Sequence, residues 1–140
     1  MNVDVFLHKF TSWAMAQSGI DGVALVGSRA RGTSNKDSDV DLIILVSNAT
    51  RYLESTEWLS TFGEVELSQN EKWGSLETVR AFYRGGLEIE YNFASPAWAE
   101  VPVDAGTRRV VNNGIRILFD RTSKFDALER ALFAERNATH

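Results

Sequence analysis

The apolar positions fall into short bursts whose spacing changes along the chain. Val3, Phe6, Phe10 and Trp13 recur at helical intervals and Gly19 offers a stop, which predicts an amphipathic helix over residues 3–18. Residues 23–26 are continuously apolar and end at Gly27, the pattern of a buried strand opening into a turn. A second strand is predicted over residues 39–46. Its Leu-Ile-Ile-Leu-Val end is apolar on both faces, so it belongs centrally, under helices on either side, whereas its beginning carries two acids.

Further on, Tyr52, Leu53, Leu59 and Phe62 have the spacing of a half-buried helix over residues 49–62, closed by Gly63. Strand patterns return at 65–67, 76–83 and 87–93, with Gly85-Gly86 as a two-residue hairpin turn between the last two. Glu88 and Glu90 then share one strand face. Asp104 is placed to cap a helix ending near Gly114, residues 115–119 read as a strand, and Ser123-x-x-Asp126 resembles a capping box before a final helix. The expected class is α/β in the broad sense (α+β): a mixed central β-sheet with helices packed on it. With no repeat or linker, residues 1–140 are expected to form one domain.

Composition narrows the chemistry. The chain has no cysteine and only His8 and His140, so thiolate and histidine-rich metal centres are excluded and any metal must be held by oxygen. A net charge of −4 argues against binding a nucleic-acid backbone irrespective of sequence. Local basic groups exist at Arg29, Arg31 and Lys36, and again at Arg80 and Arg84. Charges interrupt the amino-terminal residues, which therefore lack the core of a secretory signal or membrane span; a cytoplasmic protein without a membrane partner is expected. The four tryptophans, Trp13, Trp58, Trp73 and Trp98, read as core or rim residues.

The residues able to do chemistry concentrate in Val26-Gly27-Ser28-Arg29-Ala30-Arg31-Gly32 and, after a polar loop, Asp37-Ser38-Asp39-Val40-Asp41-Leu42-Ile43-Ile44. Strand side chains repeat every two residues, so Asp39 and Asp41 project from one face while Val40 points into the core. Paired carboxylates suit hard divalent cations such as Mg²⁺, and a two-metal site can orient an attacking hydroxyl while neutralising a departing pyrophosphate. Gly27 permits close backbone approach, and a helical turn after it offers amides to a phosphate, with the Ser28 hydroxyl beside them. Arg29 and Arg31 lie within reach of such a phosphate, in positions that equally suit solvated surface arginines. Taken alone, the two aspartates would also fit a solvated loop edge, and Glu88 with Glu90 the wet face of an antiparallel strand.

With these residues in place, the sequence resembles the polymerase-β-like nucleotidyltransferases, which carry a Gly-Ser turn, a D-x-D strand and a third acid on a later strand. The wording Gly-Ser-x-Ala-x-Gly and Ser-Asp-x-Asp-Leu is similar to that of minimal nucleotidyltransferases and of aminoglycoside and lincosamide adenylyltransferases. The resemblance implies nucleotide binding by Gly27, Ser28 and Arg29, and Mg²⁺ binding by Asp39 and Asp41. Gly86-Leu87-Glu88-Ile89-Glu90-Tyr91 is similar to the family's glycine, spacer and hydrophobic-acid-hydrophobic strand, which implies Glu90 as third metal ligand or base, with Glu88 as competitor. Many members have aspartate there, one methylene shorter. The implied activity moves a nucleoside monophosphate, AMP from ATP, onto a hydroxyl of a small molecule or protein. The alternative is a non-catalytic nucleotide-binding or partner-binding module, antitoxin-like, on the same fold. Because antibiotic-modifying relatives bind the acceptor with additional helices, a partner such as a second copy in a homodimer, or a protein acceptor, is expected to complete the acceptor surface.

Overall fold

The computed structural model describes residues 2–35 and 38–138. Lys36, Asp37 and His140 lie outside them. Helix α1 (Val3–Met15) opens with the Asn2 side chain accepting from the Val5 amide at 3.1 Å, and it buries Phe6, Leu7, Phe10 and Ala14. Strands β1 (Ile20–Val26), β2 (Val40–Val46), β3 (Val65–Trp73), β4 (Leu76–Tyr83), β5 (Glu88–Ala94) and β6 (Ile115–Asp120) form a mixed sheet in the order β3-β4-β5-β2-β1-β6. Strands β2 and β5 run parallel, and the other neighbouring pairs are antiparallel. Among the described residues no helix is long and apolar enough to cross a membrane.

Strand β2 explains why the sheet has a core on each side. Val40, Leu42, Ile44 and Val46 join α1 and an aromatic layer, in which Phe10 lies 5.3 Å from Phe62 and Trp58 lies 4.8 Å from Tyr91, ring to ring. Ile43 and Leu45 point the other way, into a cluster with Trp98, Val111, Phe125, Leu128 and Leu132. That second cluster is supplied by helices α4 (Ala105–Asn112) and α5 (Lys124–Ala138) and by a short 3₁₀ turn, Pro96–Ala99. At the amino-terminal end of β2, Asp41 takes the place an apolar residue would hold on this face.

Several elements differ from their sequence patterns for physical reasons. Residues 49–62 form no continuous helix: α3 (Thr50–Glu54) and a 3₁₀ turn (Glu57–Thr61) are separated by Ser55 and Thr56, and the backbone of Ser55 is extended. The Trp58 indole donates to the Tyr52 carbonyl at 3.0 Å across this break, so both pieces bury apolar residues without a shared axis. Strand β3 runs to Trp73, beyond the expected 65–67, because an edge strand with polar residues on both faces has no alternation to read. The β4–β5 turn closes around Arg84, Gly85 and Gly86, since the Tyr83 amide bonds the Leu87 carbonyl at 2.8 Å. The Ser123-x-x-Asp126 box does not form. Ser123 sits at φ 60°, and Asp120 instead accepts from the amides of Phe125 and Asp126 at 3.3 and 3.0 Å. Asp104 does cap α4, through the amides of Gly106 and Thr107.

Candidate active site

Three chain segments meet at the amino-terminal end of β2. Val26, the last residue of β1, pairs with Asp41, and Gly27 follows at φ 78°, a backbone conformation that side-chain-bearing residues rarely adopt. Gly27 lies close against Asp41: a Cβ built on it would stand 3.6 Å from both Cβ and Oδ2 of the aspartate. One helical turn, α2 (Ser28–Arg31), comes next, with the amides of Ala30 and Arg31 both bonding the Gly27 carbonyl at 3.1 Å. On the other side β5 runs parallel to β2 and sets Glu90 in register with Asp41. Asp39 lies immediately before β2.

The same face forms a cleft of about 170 Å³, lined by Asp41, Glu90 and Asn92 together with Val26, Ile43, Trp73, Leu76 and Val110. Glu90 therefore stands beside Asp41 in the cleft, whereas Glu88 lies one strand pair further along and does not line it. A larger cavity, about 490 Å³, lies against α5 and contains none of the candidate residues.

The electrostatics follow from crowding acids together. Burial, and then the charge of Asp39, push the Asp41 carboxyl up to about 6, against the pull of Asn92 and Arg80. Burial, then the Asp41 charge and a bond with Asp39, push Glu90 up to about 8. Arg80, opposite Glu90 on β4, is the counter-charge: its guanidinium pairs with Glu90, with Glu88 and, at 3.1 Å, with Glu71 of β3. The hydrogen bonds with Glu71 first, and then the neighbouring glutamates, raise the arginine further above its ordinary value. Glu71 is in turn held below the usual carboxylate range, and it also accepts from the Trp73 indole at 3.0 Å.

Arg29 and Arg31 both donate to backbone carbonyls. Arg29 donates to the backbone carbonyls of Asn35, Ser38 and Asp39, at 3.4, 2.6 and 3.2 Å, and so braces the segment that leads into the acids. Arg31 donates to the Asn113 carbonyl at 2.8 Å and packs over Gly114. Asn92 carries no local signal in the sequence, and Arg80 and Trp73 show there only as a basic group and a rim aromatic; the docking of β3, β4 and β5 brings them to the site. Trp73 is 57% exposed at the cleft, unlike Trp98, which is buried.

The oxygen donors suit a hard divalent cation. Burial and then the charge of a neighbouring acid raise Asp41 (from Asp39) and Glu90 (from Asp41 and Asp39), and a cation among the carboxylates would offset both effects. Among the described residues, no group of three or more His, Asp or Glu side chains is already gathered as a cation cage; Glu90 turns to Arg80 and Asp41 to Asn92.

Residues 13–81 match the nucleotidyltransferase domain family. The matched segment holds Gly27, Ser28, Arg29, Asp39 and Asp41, while Glu90 lies beyond it. No curated protein matches the sequence. Among solved structures, an aminoglycoside 6-adenyltransferase from Bacillus subtilis is similar with a TM-score of 0.52 and 16% identity, over 68% of this chain and 35% of that one. A nucleotidyltransferase-like protein from Exiguobacterium sibiricum has a TM-score of 0.45 at 14% identity, over 89% and 36%. A CCA-adding enzyme in complex with CTP has 0.43 at 20% identity, over 91% and 32%. The chain thus spans about a third of the length of each, and the likeness to the adenyltransferase is one of fold. The glycine turn and the two aspartates lie inside the matched segment, so the part of the chain that carries them is similar to the nucleotidyltransferase domain family.

Proposed function

We propose that this protein transfers a nucleoside monophosphate, AMP from ATP, onto a hydroxyl of a small molecule or protein. The observation that carries the reading is the position of Asp41, flanked by the Gly27–Ser28 turn on one side and by Glu90 on the other. Asp39, Asp41 and Glu90 would hold Mg²⁺, which when bound neutralises phosphate charge and orients the reacting oxygens. Gly27 lets the backbone approach the outer phosphates, and the Ser28 hydroxyl and the first amides of α2 donate to them. Arg29 contributes by fixing the Asp39 segment.

In the step itself, the acceptor oxygen forms a bond to the α-phosphorus as the bond to the bridging oxygen breaks, and pyrophosphate leaves. The acceptor proton passes to Glu90, whose carboxylate must be ionised beforehand. Most of the acceleration comes from holding the reactants in line and neutralising charge.

The test is incubation of the pure protein with Mg²⁺ and each α-labelled nucleoside triphosphate, together with aminoglycosides, lincosamides or cell lysate as acceptor sources. Labelled product with equimolar pyrophosphate supports the reading, and its loss in Asp41→Asn ties it to this site. Nucleotide bound without turnover in every mixture would favour the non-catalytic module.

A further inference from the structure

Two neutral polar side chains, Thr78 and Asn92, are buried beneath the acids, at 0% and 6% exposure. They are register partners on β4 and β5. Burying such groups is unfavourable unless their hydrogen bonds are made, and here the donors and acceptors are matched. The Thr78 hydroxyl donates to Asn92 Oδ1 at 2.5 Å. Asn92 Nδ2 then donates to the Leu42 carbonyl at 2.9 Å and to Asp41 Oδ1 at 2.6 Å. Turning the amide over would set its oxygen against a carbonyl and a carboxylate, so the two acceptors dictate its orientation. The other oxygen of Asp41, Oδ2, lies on the Gly27 side.

We propose that Asn92, locked by Thr78, is a positioning residue for Asp41, holding one carboxylate oxygen so that the other faces the Gly27–Ser28 turn. The inference rests on the reading of Asp41 as a metal-binding acid. A carboxylate on a short side chain has a free rotation about its terminal bond, and a charge-assisted bond at 2.6 Å from a buried donor removes that freedom. The donor is rigid in its turn because its own oxygen is held from β4. Polar partners behind metal-binding side chains act in this way elsewhere, and their removal lowers metal affinity or activity by about 10- to 100-fold.

The test compares Thr78→Val, nearly the same shape without the hydroxyl, with Thr78→Ser, which restores it, and adds Asn92→Ala. Mn²⁺ affinity in the presence of a non-hydrolysable ATP analogue is measured by titration calorimetry, alongside thermal unfolding of the metal-free proteins. The expected result is weaker Mn²⁺ binding by about 10-fold in Thr78→Val and by more in Asn92→Ala, with Thr78→Ser near wild type. If Asn92→Ala fails to fold, the Thr78 pair decides. Thr78→Val with a lowered melting temperature but wild-type Mn²⁺ affinity would overturn the proposal and leave the pair a purely structural one. Mn²⁺ affinity unchanged in Asp41→Asn would instead remove the reading beneath it.

Discussion

Asp41 and Glu90 stand in register on adjacent parallel strands, two acids side by side in one cleft. Burial first, and then a neighbouring acid, raise their carboxyls to about 6 and about 8: Asp39 acts on Asp41, and Asp41 with Asp39 on Glu90. A raised acid binds its proton more tightly folded than unfolded, so its contribution to stability is present at low pH and is lost as pH rises towards the folded value. The metal-free protein is therefore expected to lose stability between about pH 4 and about pH 8, and Mg²⁺ should restore it most at the alkaline end. Melting temperatures measured across that range, with and without Mg²⁺, check the sign; a flat profile would contradict it.

Asp39→Asn removes one of the three charges. Its metal-free melting temperature should equal or exceed that of the wild type, because Asp39 contributes to raising both Asp41 and Glu90. The stabilisation by Mg²⁺ should disappear, and turnover should fall by at least about 100-fold. An undiminished Mg²⁺ response in this variant would count against the site.

Glu90 and Glu88 both touch Arg80, yet only Glu90 lies beside Asp41. Glu90→Gln is expected to reduce turnover by about 100-fold or more while Glu88→Gln stays within a few-fold of wild type. Initial rates of pyrophosphate release distinguish them, and equal losses would mean that proximity to Asp41 is not what matters.

Arg80→Met leaves Glu71, Glu88 and Glu90 to repel one another. Arg80 holds the Glu71 carboxyl below its ordinary value, so the stability from that pairing is present near neutral pH and fades as pH falls through the carboxylate range. The variant should melt several degrees below wild type at pH 7.5, and the gap should narrow at pH 4. Paired thermal scans at the two values measure it.

Gly27→Ala has room for its methyl group, at ordinary contact distance from Asp41, but forces alanine to φ 78°. The backbone strain should cost about 1–3 kcal/mol of stability, or shift the turn and weaken ATP-analogue binding. Chemical denaturation with calorimetry would show which.

Local chemistry written along the chain determined a good part of this protein. The two-residue repeat of a strand was enough to set Asp41 on the face opposite Val40, the apolar run of residues 42–46 to place β2 centrally, and Gly27-Ser28 to place a tight turn ahead of it. These properties depend on neighbours a few residues apart. The long polar strand β3, the break at Ser55 and the cap supplied by Asp120 were hidden because hydrophobic alternation is weak where both faces are wet, and because a cap can come from outside its expected motif. Only the tertiary structure decided that Glu90 stands beside Asp41, that Arg80 gathers three glutamates, and that Asn92, 51 residues along the chain from Asp41, grips one of its oxygens. The reason is physical: strand register is chosen by packing across the whole sheet, and a slip of one residue would turn each of these side chains to the opposite face.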